Sequence, residues 1–150
     1  VTSSRIALAS DHAGFSLKTE LSKVLIEWGH DVVDLGTDST DSVDYPDFGD
    51  ELARCLSAGD ADLGVLVCGT GIGISIAANR HAAIRAAVCH DVTSARMSRL
   101  HNDANVLALG ERLIGVETAK DCLKVFLETS FEGGRHQRRV DKLSRPSASR

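Results

Sequence analysis

Leu63-Gly64-Val65-Leu66-Val67-Cys68-Gly69-Thr70-Gly71-Ile72-Gly73 is the stretch on which the fold turns. Residues 63–68 carry no charge and read as a strand buried on both faces of a parallel sheet. Three glycines at alternate positions then form a turn leading into a helix. Upstream, residues 6–9 are a short apolar run, and Leu17, Leu21, Val24, Leu25 and Trp28 stripe one helical face, with Gly29 as the stop. Residues 32–35 read as a second strand, and Phe48, Leu52, Cys55 and Leu56 stripe a helix after Pro46. Downstream, residues 84–89 and 105–109 read as strands on either side of a helix over 93–100. A last helix covers 117–128. Alternation of strands and helices implies right-handed crossovers. The expected fold is α/β: a three-layer αβα sandwich around a doubly wound, Rossmann-like, five-stranded parallel sheet. One domain is expected over 1–143, with 144–150 a flexible tail.

The composition agrees with a folded domain. The 150 residues are 43% hydrophobic and 25% charged, which is wrong for a disordered chain. The net charge of −4 hides an uneven distribution. Residues 135–150 hold six basic side chains and one acid, a net +5, while residues 1–134 hold eleven basic and twenty acidic groups, a net −9. So acidic a body is a poor general nucleic-acid binder, because polyanion affinity requires many neutralised phosphates. The basic end piece suits one small anion.

No secretory signal is visible at the start. The longest uncharged stretch, residues 63–79, is seventeen residues long with four glycines, which argues against a membrane helix. Cys55, Cys68, Cys89 and Cys122 show no CxxC spacing, and reduced thiols in a cytoplasm are the expectation.

In doubly wound sheets ligands bind beyond the carboxyl ends of strands. Asp11-His12 follows the first strand, the glycine run follows the third, and Glu111-Arg112 follows the fifth; His101-Asn102 stands before the fifth. The glycine run completes neither GxGxxG nor a Walker loop, because Ile74 and Ile76 stand where third glycines are needed and no Lys follows. Alternate glycines at a helix start expose amides that hold an oxyanion; the same residues also serve a tight turn, and spacing alone does not choose. Cys68, directly before those amides, is placed as a base or a nucleophile, against the alternative of a small buried hydrophobe. His12 and His101 have solvated loop histidines as their default. No HxH or HxxxH occurs and Cys89-His90-Asp91 is consecutive, so no metal site is expected. Arg135 and Arg139, four apart, share a face if their segment is helical, and two guanidinium forks suit a phosphate monoester. A solvated basic tail is the competing reading.

Five blocks carry a resemblance. Ala9-Ser10-Asp11-His12-Ala13-Gly14, Asp44-Tyr45-Pro46, the run from Cys68 to Asn79, His101-Asn102-Asp103-Ala104-Asn105-Val106 and Glu132-Gly133-Gly134-Arg135-His136-Gln137 resemble the ribose-5-phosphate isomerase B family over residues 5–143. The resemblance implies cofactor-free interconversion of ribose 5-phosphate and ribulose 5-phosphate through a cis-enediolate, in the pentose phosphate pathway. It implies a homodimer or dimer of dimers whose sites draw on both chains. By resemblance Cys68 is the base and His101 the proton donor for ring opening, with Asp11 assisting and Thr70 close to the sugar. The amides of Gly69, Gly71, Ile72 and Gly73 stabilise the enediolate oxygen. His12, Arg112, Arg135 and Arg139 hold phosphate and Asn102 a sugar hydroxyl. One branch of the family uses a Glu where Ile74 stands, so this chain falls in the cysteine branch. Arg138 adds a charge where family members often have none, and its spacing points it to solvent. A six-carbon sugar phosphate (allose or galactose 6-phosphate) and a non-catalytic sugar-phosphate sensor are the alternatives.

Overall fold

A computed structural model describes residues 4–145. Its elements are β1 (Arg5–Ser10), α1 (Phe15–Glu27), β2 (Asp31–Asp34), α2 (Tyr45–Ser57), β3 (Leu63–Cys68), α3 (Ile72–Ala78), β4 (Ala86–Val88), α4 (Val92–Asn102), β5 (Val106–Gly110), α5 (Val116–Glu128) and α6 (Arg135–Leu143), with a one-turn 3-10 helix at His12–Gly14. Every strand pair is parallel, and the order across the sheet is β2-β1-β3-β5-β4. This is the expected doubly wound α/β sheet. Of the proposed tail, Ser144 is the C-cap of α6, and residues 146–150 lie outside the described residues.

The period-two alternation of the central strands sorts their side chains into two cores. Ile6, Leu8, Val65, Val67, Leu107 and Leu109 face α1 and α5, meeting Leu17, Leu21, Leu25, Leu123 and Phe126. Ala7, Ala9, Leu66, Cys68, Val106 and Ala108 face α2 and α3, meeting Leu52, Ala53, Ile74 and Ala78. Each fully buried Leu here contributes about 1.5–3 kcal/mol of transfer free energy before the entropy of ordering it is subtracted. The apolar stripe of α1 thus becomes one wall of a closed layer. Cys68 belongs to the opposite wall, at the carboxyl end of β3.

Two boundaries differ from the periodicity. The strand expected over 84–89 is only Ala86–Val88. Ile84 closes a turn onto the His81 carbonyl, and the Arg85 amide donates to Asn105 Oδ1 at 2.8 Å, so neither extends the ladder. Residues 135–143 form α6, which carries no apolar stripe in sequence, since only His136 and Val140 are buried.

The strand order decides where a ligand site forms. From β1 the chain crosses to β2 on one side, and from β3 it crosses to the other side of the sheet. The loops after β1 and β3 therefore diverge and leave a crevice between them. Helix α4 runs back against the strands, so its last residues, His101 and Asn102, stand at the amino edge of β5. The five residues of β5 span roughly 16 Å. That distance exceeds the reach of a histidine side chain.

Candidate active site

The loop after β1 is built on Asp11. Its Oδ1 accepts the Ala13 amide at 3.0 Å and the Gly14 amide at 3.1 Å, capping the 3-10 turn that carries His12. The residue is 6% exposed. His12 Nδ1 accepts the Val43 amide at 3.1 Å, so in the neutral ring the proton sits on Nε2. The segment that presents Val43 is itself tied to α1. Buried Lys18 donates from Nζ to Asp34 Oδ1 at 2.6 Å and to the Thr37 carbonyl at 2.7 Å.

The loop after β3 turns through Gly71, whose φ of 77° is open to glycine and strained for other residues. A Cβ there would also lie 2.9 Å from the Leu109 carbonyl carbon. This turn directs the Gly71 amide at Cys68, and the N–H donates to Sγ at 3.1 Å. Ile72 donates to Thr70 Oγ1 at 3.2 Å. Two of the amides expected to face an oxyanion are thus engaged within the loop. Those of Gly69 and Thr70 donate to no protein atom among the described residues. The Tyr45 ring, at the start of α2, lies where a Cβ on Gly73 would stand, 2.5 Å from Cε1.

The loop after β5 locks onto this one. The Glu111 amide donates to the Cys68 carbonyl and the Arg112 amide to the Gly69 carbonyl, both at 3.0 Å. Glu111 Oε1 also accepts the Leu17 amide at 2.6 Å, supplying an acceptor to the first turn of α1, whose N-cap is a glycine. The Arg112 side chain lies over Gly69 and makes no ion pair among the described residues. Asp11, His12, Cys68, Gly69, Thr70, Ile72, Gly73 and Arg112, with Ala13 and Tyr45, line one cavity of about 420 Å³. It offers a sulfur, a carboxylate, an imidazole and a guanidinium around a helix N-terminus, a set suited to proton transfer beside an anion.

The structure does not bring His101, Asn102, Arg135 or Arg139 to that cavity. Asn102 lines a different one, of about 390 Å³, with Asn79, Ile84, Arg85, Ala86, Ala87, Ala104 and Leu143. The two cavities share no lining residue. Within a single chain His101 and Asn102 stand before β5, as their sequence position implies, because the crossover helix returns them to the amino edge of the sheet. Arg135 and Arg139 lie exposed on α6, and Arg138 is exposed as well. The His101 ring stacks on His136 with centroids 4.4 Å apart and planes 15° from parallel, and His101 Nε2 is 4.0 Å from Glu132 Oε2. Burial lowers the His136 pKa below the ordinary imidazole value, with the His101 and Arg135 charges acting in the same direction.

Sequence reading missed Tyr45, Glu132 and His136 as neighbours of the candidate residues. All three lie within quoted blocks, yet nothing in their spacing tells which side chains meet. Among the described residues no helix is long and apolar enough to cross a membrane.

The sequence profile of the Ribose/Galactose Isomerase family matches residues 6–143. The chain is similar to the ribose-5-phosphate isomerase B of Escherichia coli (strain K12), 49% identical over 140 residues that cover 93% of this chain and 94% of that protein. It is 45% identical to a putative sugar phosphate isomerase of Bacillus subtilis (strain 168), covering 93% and 95% of the two chains. Among solved structures, a ribose-5-phosphate isomerase B from Clostridium thermocellum superposes with a TM-score of 0.92 at 51% identity, covering 93% of this chain and 95% of that one. Coverage and identity of this extent leave one assignment: the chain belongs to the ribose/galactose isomerase family.

Proposed function

We propose that the chain interconverts ribose 5-phosphate and ribulose 5-phosphate without a cofactor, as a step of pentose phosphate metabolism in the cytoplasm. The observation that carries this reading is the cavity between β1 and β3, where Cys68 and Arg112 line the same space. Once the furanose ring is open, the Cys68 thiolate takes the proton from C2. The electron pair forms the C1–C2 double bond of a cis-enediolate, and charge moves to O1. Passage of the O2 proton to O1 and return of the proton from Cys68 to C1 leave the ketone at C2, so protons balance and no electrons enter or leave the molecule. The Gly69 and Thr70 amides are available to the oxygen on which charge develops, a contribution often large in such chemistry. His12, through Nε2–H, and Arg112 hold the phosphate.

His101, Asn102, Arg135 and Arg139 serve a second copy of the chain in this reading. Ring opening by His101 and two further phosphate contacts then come from the partner, in a homodimer with shared sites. Four free cysteines agree with a reducing compartment.

The test is an isomerase assay with ribose 5-phosphate, run also in D₂O. The expected result is ribulose 5-phosphate formation with deuterium entering the exchanging carbon. A higher kcat/KM for a six-carbon aldose phosphate would overturn the substrate. Binding of ribose 5-phosphate with neither turnover nor exchange would overturn the reaction and favour a sensor.

A further inference from the structure

The geometry points to a divalent-metal site of the zinc type on His101, Glu132 and His136, where a bound cation withdraws His101 from the reaction. One ligand atom from each residue lies within 4.8 Å of the other two. Spacing concealed the set, because Glu132 and His136 flank the start of α6 whereas His101 ends α4, which packs against it.

Two observations lift this group above a chance cluster. His136 is 6% exposed, and its Nε2 is buried without a hydrogen-bond partner. Unpaired buried polar atoms are uncommon and call for a ligand or a compensating group. Its two neighbours are the His101 imidazole, stacked on it, and the Glu132 carboxylate. Imidazole lone pairs lie in the ring plane, so the half-exposed His101 must swing out of the stack to complete, with Glu132, the His₂Glu set found with zinc. A tetrahedral ion with bonds of about 2.1 Å needs donors about 3.4 Å apart. The His101 and Glu132 side chains are 39% and 55% exposed, so they have room to close that gap while packed His136 stays in place. The exposed side of the cluster leaves the fourth position to water. Arg135 and Arg139 oppose a dication, but both are exposed and their repulsion is screened by salt.

Metal binding stands on geometry alone; inhibition rests in addition on the proposed function, through His101. A metal on Nε2 occupies the lone pair that His101 needs to carry a proton.

The experiment is a Co²⁺ titration of the untagged, metal-free full chain, read by visible absorption, with Zn²⁺ competition. The expected result is one equivalent bound, tetrahedral d–d bands, no thiolate charge-transfer band, and affinity at least tenfold lower in Glu132→Gln and in His136→Gln. Unchanged affinity in both variants, or a thiolate band reporting Cys68, overturns the site. Glu132→Gln, altered at an exposed position, guards against misfolding of the His136 variant. Zn²⁺ is expected to inhibit the wild type at a concentration at least tenfold below that needed for Glu132→Gln, each inhibition being referred to that protein's own metal-free activity. Equal Zn²⁺ sensitivity overturns the inhibitory role. Should the metal-free wild type show no isomerase activity, the proposed function fails while the Co²⁺ titration still decides the site.

Discussion

The Gly71 amide donates a 3.1 Å hydrogen bond to the Sγ of Cys68, so the thiol and the turn that follows it form one unit. Cys68 is the last residue of β3 and only 4% exposed, yet it lines the cavity between the diverging loops. Replacing Cys68 with Ala should lower kcat by about 10²–10⁴-fold, the range for a lost general base, and stop deuterium exchange. Ribose 5-phosphate affinity, measured by calorimetry, should stay within a few-fold. Exchange at the wild-type rate would remove Cys68 as the base.

The four thiols should differ in reactivity. Burial, then the neighbouring Cys89 and nearby acids, push the Cys122 thiol up to about 11, and burial raises Cys89 as well. Both should resist iodoacetamide near pH 8, since the thiolate is the reacting form. Alkylation that inactivates the protein should map by peptide mass to Cys68, and ribose 5-phosphate should slow it. Full activity after verified Cys68 modification would contradict this.

Gly71→Ala separates the turn from the thiol. Its Cβ would meet the Leu109 backbone at a φ that costs other residues about 1–2 kcal/mol. For a domain of this size each kcal/mol lowers Tm by about 2–4 °C. Calorimetry should show that loss together with a fall in kcat. An unchanged Tm and kcat would mean that the turn is not needed to hold the sulfur.

Lys18 connects stability to the phosphate end of the cavity. Asp34→Asn removes the counter-charge of a buried ammonium and leaves it only neutral acceptors, and should cost about 1–3 kcal/mol. Because the same segment supplies the Val43 amide to His12, KM should rise more than kcat falls. Equal kinetics in the variant would uncouple the segment from the site.

Mixed variants test sharing between chains. Cys68→Ala and His101→Gln should each be nearly inactive alone. If sites are built from two chains, random reassociation of equal amounts restores about a quarter of wild-type activity, because half the dimers are mixed and each holds one intact site. Absence of any recovery after verified exchange would mean that Cys68 and His101 do not serve one site from different chains.

Most of the frame was legible before folding. The uncharged run at 63–68, the stripe of Leu17, Leu21 and Leu25, and Pro46 at a helix start each carry a local physical rule, and each stands where that rule puts it. The ends of β4 were not legible, because a turn at His81 and the Asn105 side chain claim the amides that periodicity assigned to a strand. Helix α6 was invisible to hydrophobic periodicity, since it buries only two residues four apart.

By itself, the sequence determined the alternation of strands and helices and the residue types capable of moving a proton beside an anion, since both depend on contacts between near neighbours. The tertiary structure alone decided which of those residues meet. Cys68 joins Asp11, His12 and Arg112 because β1, β3 and β5 end side by side, whereas His101 joins Glu132 and His136 because α4 runs against the strands. Helix direction is a long-range consequence of how the sheet closes its crossovers, and no spacing along the chain encodes it.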